Sequence, residues 1–248
     1  MTSNRFFINN TQVQPSHALL SGPEHHHLSK VARIQTKDKV WLFDELGISY
    51  HAEVEDIGRA STRLRILERV NGKEPKITVS LAQALIKPKS MDLIIQKATE
   101  VGMNIFIPLY TSRTDVKARE GVNKKISRWE KIALEAVKQS GRCHLPEIQS
   151  PCHLQELLGR TQATKKLLLS GKADTFLRDV LIPDKSSEGK LAPVSALVLV
   201  GPEGGWTDLE ERDIVKRDFE AVNLGPYTFR AETAAIVSTA MINHFWNT

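Results

Sequence analysis

Thiols are scarce in this chain of 248 residues: Cys143 and Cys152 are its two cysteines. That is too few for a disulfide framework or a four-thiolate zinc site. Long apolar runs are missing as well, and nothing approaches the ~18 residues of a membrane helix. The stretch Met1–Asn10 carries a single Arg5 and only Phe6-Phe7-Ile8 as an apolar patch, so it does not read as a signal peptide. A reducing cytoplasm is the expected home, with no membrane partner.

The familiar catalytic fingerprints are absent too. The glycine-rich Gly201–Gly205 stretch lacks the lysine and hydroxyl of a nucleotide P-loop and the three spaced glycines of a dinucleotide site. No Ser-His-Asp order with a nucleophile elbow occurs, and neither cysteine has an activating motif, which argues against covalent hydrolysis. The run His25-His26-His27 invites a metal reading. Three successive histidines cannot share one helix face, however, and no i, i+4 partner or acidic ligand stands nearby, so no metal is expected.

What remains is an ordinary globular composition, 41% hydrophobic and 25% charged. The formal charge of +5 is unevenly spread, at +1 for 1–72, +7 for 73–145 and −3 for 146–248. The excess peaks between Arg113 and Arg142, through Lys117, Arg119, Lys124, Lys125, Arg128, Lys131 and Lys138. A charge run is most often a solvated face. Here it lies beside an acidic segment, which favours phosphate neutralisation by a nucleic-acid binder.

Residues 12–72 read as short strands and turns. Val40 and Leu42, then Tyr50, Ala52 and Val54, alternate around an Asp44–Gly47 turn, and Leu64 and Ile66 alternate with arginines. A small half-polar sheet or barrel follows, interrupted by one helical piece over Pro23–Arg33. The polar Asn71–Pro75 is a linker, which places the domain boundary at 72/73. Beyond it, strands alternate with helices, the grammar of a mostly parallel sheet covered on both faces. Ser90 is the expected cap of a helix closed by Gly102, and Ser150 with Pro151 the expected start of a short one. Thr207-Asp208-Leu209-Glu210 is a capping box. The last helix, about Ala231–Trp246, is apolar apart from a stripe at Glu232, Thr239 and Asn243. It is therefore buried on more than one side, in the core or against another subunit.

Two glycine-bearing turns end successive apolar strands: Ala196–Val200 into Gly201-Pro202-Glu203-Gly204-Gly205, and Val222–Leu224 into Gly225-Pro226. The carboxyl ends of strands are where an open α/β sheet binds a ligand, and glycine lets the backbone itself approach that ligand. Glu203 and Glu232 are each a catalytic candidate or a complement to a helix amino terminus, and capping is the simpler reading of Glu232.

Several dispersed motifs resemble one family. They are Arg5-Phe6-Phe7; Glu24-His25-His26-His27-Leu28 with Val31 and Arg33; Gln96–Gly102; Arg128-Trp129 with Ile132; Glu135-Ala136; Gln139–Arg142; the Gly201–Gly205 loop; and Leu224-Gly225-Pro226 through Arg230-Ala231-Glu232-Thr233-Ala234. Together they resemble the RsmE family, bacterial 16S ribosomal RNA (uracil-N3) methyltransferases of the SPOUT superfamily. Departures are few: Ala32, Thr36–Lys39, and Thr228-Phe229 in place of an aliphatic pair.

The resemblance implies a fold that periodicity does not, namely a trefoil-knotted sheet at 73–248 preceded by a PUA-like β-barrel at 1–72. It implies knot loops that hold S-adenosyl-L-methionine through Ser170, Gly171, Leu199, Val200, Gly201, Pro202, Glu203, Gly204, Gly205, Leu224, Gly225, Pro226, Phe229, Arg230, Glu232 and Thr233. It further implies a homodimer acting on 16S rRNA of the small ribosomal subunit. Arg230 is then the expected electrostatic or orienting catalytic residue, and Glu203 the candidate base. Arg5, His26, Arg33, Arg113, Arg128 and Arg142 are the expected RNA contacts. A ribose 2′-O methyltransferase, an inactive RNA-binding assembly factor and a phosphate-binding hydrolase stay open beside this reading.

Overall fold

The structure, a computed structural model, describes residues 4–114, 121–182 and 194–247. The chain forms two compact units, Met1–Glu74 with Leu134–Leu145, and Pro75–Ala133 with Pro146–Thr248.

The first unit is built on a five-stranded sheet in the order β1-β3-β4-β5-β2. Its strands are β1 (Arg5–Phe7), β2 (His17–Ser21), β3 (Lys39–Phe43), β4 (Ile48–Ile57) and β5 (Ser61–Asn71). The alternation seen in the sequence sets the inward face: Val40, Leu42, Ala52, Val54 and Leu64 are buried together with Phe6, Ile8 and Leu20. Irregularities in the β4–β5 register after His51 and after Val54 bend these long strands. Between β2 and β3, α1 (Gly22–His26) passes into a π-turn over His27–Val31. Segment 134–145, which the sequence places beyond the 72/73 boundary, belongs to this unit. In it Ala136 and Val137 are buried, and the Lys138 ammonium, with 6% of its side chain exposed, lies 3.1 Å from Glu24 Oε1 and 3.0 Å from Glu135 Oε1. It also lies 3.0 Å from His27 Nδ1.

The second unit carries a seven-stranded sheet in which every described pairing is parallel. Its path runs β12 (Glu220–Val222), β10 (Lys165–Leu169), β11 (Ser195–Val200), β6 (Thr78–Ala84), β7 (Ile105–Tyr110) and β8 (Glu147–Ile148), with β9 (Cys152–His153) also on β7. The helices are α2 (Pro88–Glu100), α3 (Val122–Ser140, which belongs to this unit up to Ala133), α4 (Leu154–Arg160), α5 (Leu177–Leu181), α6 (Asp208–Val215) and α7 (Ala231–Trp246). They cover two separate apolar layers. One gathers Ile94, Ala98, Trp129, Val198 and Ile242, the other Leu109, Leu157, Leu199 and Trp206. This two-faced burial explains why these strands read as unbroken apolar runs.

Two local expectations are revised, and the direction of the α7 stripe is settled. Helix α2 starts before Ser90, with Lys87 as N-cap and Pro88 at the first helical position, because proline's fixed φ and missing N–H suit that place. Pro151 starts no helix: Cys152 and His153 pair with β7, and α4 begins after His153. Two residues of the α7 polar stripe, Thr239 and Asn243, pack against the protein. Thr239 is fully buried and donates its Oγ1 proton to the Ala235 carbonyl at 2.7 Å. Asn243 lies against Gly102, where an added Cβ would sit 2.7 Å from its amide. Asn247 Oδ1 accepts the Lys76 N–H at 2.6 Å. Meanwhile Met241 is half-buried and Phe245 is exposed. The capping box of α6 forms as expected, with Thr207 and Glu210 bonding each other's backbone N–H.

Candidate functional site

The carboxyl ends of β10, β11 and β12 converge on one cleft of about 780 Å³ in the second unit. Three segments line it: Leu169–Gly171, Val200–Trp206 without Gly204, and Asn223–Glu232. The loops expected to bind a ligand thus meet in one place, and the size suits a cofactor-sized molecule. Of the residues expected there, Leu199, Gly204 and Thr233 do not line it. Leu199 points into the opposite apolar layer by strand alternation. The Gly204 carbonyl accepts a hydrogen bond from Arg113, and Thr233 sits on the exposed side of α7.

The backbone of the cleft is held from behind. Trp206 is buried and donates its Nε1 proton to the Leu169 carbonyl at 3.1 Å. A Cβ on Gly201 would meet that indole at 3.0–3.3 Å, so the close approach of loop and ring depends on glycine. Gln83, fully buried on β6, donates to the Gly201 carbonyl at 3.2 Å. Asn223 Oδ1 accepts the Gly225 N–H at 3.0 Å, and its amide group donates to the Ala173 carbonyl. Gly225 has φ +133°, a backbone that side chains rarely adopt, and space for a Cβ is open there and at Gly171 and Gly205. Ser170 donates to Glu211 Oε1 at 2.7 Å. Glu210 takes the Ser112 N–H at 2.7 Å and the Thr207 N–H at 2.9 Å. Burial raises the Glu210 pKa, but the hydrogen bonds from Ser112 and Thr207 outweigh that and hold it below the usual carboxylate range.

Charged side chains of both signs line the cleft: Lys87, Glu203, Arg230 and Glu232, beside the phenol of Tyr227. Arg230 is the N-cap residue of α7 and makes no side-chain cap hydrogen bond. Lys87 Nζ stands 3.5 Å from Glu203 Oε2. Lys87, Ser90, Trp206, Asn223 and Tyr227 were not expected in the site. For Lys87 a signal existed, since Lys87-Pro88 marks a helix start.

The expected RNA contacts are scattered. His26 and Arg33 are exposed on the first unit, and Arg33 has a left-handed backbone at φ 55°. Arg5 is buried in β1, with its guanidinium 5.0 Å from the Phe43 ring centre. Burial pushes Arg142 down to about 10, which leaves it cationic at neutral pH. Arg113 donates to the Gly204 and Trp206 carbonyls. Arg128 pairs with both oxygens of Asp92, at 3.2 and 2.6 Å. Lys117 and Arg119 lie outside the described residues. The three histidines reach separate partners: His25 Nδ1 lies 2.8 Å from Thr62 Oγ1, His27 meets Lys138, and His26 is exposed. Among the described residues no group of histidine, cysteine or carboxylate side chains is placed to hold a metal, and no helix is long and apolar enough to cross a membrane.

The residues fit S-adenosylmethionine. The glycine backbone at Gly171, Gly205 and Gly225 leaves open space where a side chain would stand, so a ligand can approach the main chain, and Leu169, Val200 and Leu224 supply apolar wall.

Comparison with known proteins agrees. Residues 73–243 match the family described as RNA methyltransferase domain, and residues 20–67 match RNA methyltransferase PUA domain. The ribosomal RNA small subunit methyltransferase E of Mesomycoplasma hyopneumoniae (strain 232) is 31% identical, over 94% of this chain and 95% of its own. That of Bacillus subtilis (strain 168) is 30% identical over 97% and 96%. The crystal structure of the enzyme of that name from Neisseria gonorrhoeae, bound to S-adenosyl methionine, superposes with a TM-score of 0.85 at 26% identity, covering 98% of each chain.

Proposed function

The chain belongs to the ribosomal RNA small subunit methyltransferase E family, and from that premise we propose that it methylates N3 of a uridine in 16S rRNA. It is an S-adenosylmethionine-dependent rRNA methyltransferase with a mostly parallel α/β domain and an N-terminal PUA-like domain. The observation that carries the site assignment is the convergence of three strand-end loops on one glycine-lined cleft.

Backbone groups of Gly201, Leu224 and Gly225 hold the cofactor. When bound, it would supply an electrophilic methyl group for the ring nitrogen. The protein's share is placement and charge. Arg230, open at the cleft and without a cap role, orients the uracil and stabilises charge on it. His26 and Arg33, exposed on the first unit, contact RNA phosphate. Arg113 and Arg128 join them only by exchanging carbonyl or Asp92 partners for phosphate. A homodimer is supported by α7, whose Thr239 and Asn243 pack against the protein while Met241 and Phe245 stay partly open. The cytoplasm, where ribosomes assemble, is the proposed compartment.

The test is a methylation assay with tritiated S-adenosylmethionine on small subunits and on free 16S RNA, followed by nucleoside analysis. N3-methyluridine is the expected product. A ribose 2′-O-methyl product would move the chain to the other chemistry, and absence of methylation with no cofactor heat in calorimetry would make it a binding factor.

A further inference from the structure

Lys87 breaks a local rule. It is the N-cap of α2, where it makes no side-chain cap hydrogen bond, Lys89 follows within the first turn, and that turn holds no acidic residue. A cation at a helix amino terminus adds to the positive end of the helix dipole. Nothing in the packing returns that loss. The Lys87 side chain is 76% exposed and its pairing with Glu203, itself 50% exposed, is 3.5 Å long, the kind of surface pair that adds little stability. A cation held against local preference in a ligand cleft is the mark of a functional residue.

We propose that Lys87 is a catalytic residue: its ammonium stabilises the negative charge that forms on the uracil ring when N3 loses its proton, and Glu203, kept within reach by that ammonium, receives the proton. This rests on the uridine-N3 reading above. In the step, the N3–H bond breaks, the proton goes to a Glu203 carboxylate oxygen, and the electron pair stays on the ring, shared by N3 and its two flanking carbonyl oxygens. Methylation of N3 returns the ring to neutrality, and Glu203 passes its proton to water. A carboxylate alone is a poor base for so weak an acid; a fixed cation beside the carbonyl oxygens is what makes the transfer accessible. The other charged groups facing the cleft are Arg230 and Glu232, beside the Tyr227 hydroxyl. Arg230 lies on the α7 side, whereas Lys87 comes from α2.

The experiment compares the full chain with Lys87→Met, Lys87→Arg and Glu203→Gln. Calorimetric affinity for S-adenosylmethionine and melting temperature are expected to stay close to the parent in all of them. Single-turnover methylation by Lys87→Met is expected to fall by about 10²- to 10³-fold near neutral pH and to recover as pH rises and the ring ionises unaided; Lys87→Arg keeps most of the rate. A binding readout separates this from a structural role. In the presence of S-adenosylhomocysteine, the parent should prefer 16S RNA transcribed with 5-fluorouridine, whose N3 is more acidic, by a margin that grows with pH. Lys87→Met should lose that margin and Glu203→Gln keep it. Parent-like rates in Lys87→Met, or a loss equal at every pH with the binding preference intact, would overturn the assignment. A parent that makes no N3-methyluridine would overturn the uridine reading instead, and that is read from the parent alone.

Discussion

Charged groups are used in opposite ways in the two units. In the first unit, Asp44 is fully buried, accepting the Leu46 and Ile48 N–H groups on one oxygen and the Tyr50 hydroxyl on the other. Lys138 is nearly buried, bonded to Glu24, Glu135 and His27. In the cleft of the second unit, Lys87 and Glu203 pair loosely, and Arg230 and Glu232 make no side-chain hydrogen bond or ion pair among the described residues. A charge whose bonding positions are filled by the protein holds the fold; one left open is available to substrate. Buried pairs are expensive to break, whereas open charges cost stability almost nothing to remove.

The sharpest way to break that contrast is Lys138→Ala. Leaving the partly buried Glu24 without its cation is expected to destabilise the chain by about 2–4 kcal/mol, read by denaturant unfolding, with cofactor affinity by calorimetry unchanged in the folded fraction. A loss below about 1 kcal/mol, the range of exposed pairs, would mean the site is not spent on structure.

Arg230→Ala should behave inversely. Methylation at saturating cofactor falls by about 10²- to 10³-fold while the melting temperature stays put, and parent-like turnover removes Arg230 from the chemistry. Gly201→Ala tests the backbone rather than a charge. Its Cβ would meet the Trp206 indole at 3.0 Å, so the loop or the ring must move, at about 1–3 kcal/mol of overpacking. A tenfold or greater loss of cofactor affinity by calorimetry is expected.

Glu210→Gln sharpens the comparison from within the second unit, because this carboxylate is filled rather than open. Its pKa is depressed in the fold, so its stabilisation is present above the ordinary value of ~4.3 and is lost as pH falls through the depressed one. Parent and variant should differ by about 1–3 kcal/mol at neutral pH and converge in acid, as measured by unfolding at a series of pH values. The smallest effect belongs to Tyr50. Burial, then the bond to Asp44, pushes its phenol up to about 12. The stabilisation is complete below the ordinary ~10 and is lost as pH rises through about 12. Ultraviolet titration of tyrosinate should show a late step that is absent in Tyr50→Phe.

Much of the sheet was legible because its signals are local. Apolar runs at Ala196–Val200, the capping box at Thr207, and glycines after strands each act over a few residues, and each appears where expected. The Gly201 and Gly225 turns were legible as strand ends for the same reason, whereas Arg230 entered through the family resemblance. What escaped depended on partners far along the chain. Nothing near Lys138 announces Glu24, 114 residues away. The basic run between Arg113 and Arg142 looked like a phosphate-binding face, yet Arg113, Arg128 and Lys138 each have protein partners. The helix periodicity of α7 showed burial on more than one side but not where its polar stripe goes; Thr239 satisfies its hydroxyl on its own helix and so can be buried.

The sequence by itself settled where backbone is left bare and where strands end, since glycine, proline and capping residues act through their own φ, ψ and nearest N–H groups. Only the tertiary structure decided which charges are spent and which stand open, because a carboxylate or ammonium is neutralised by whichever group the fold brings within about 3–4 Å, and that neighbour is set by packing across the whole chain.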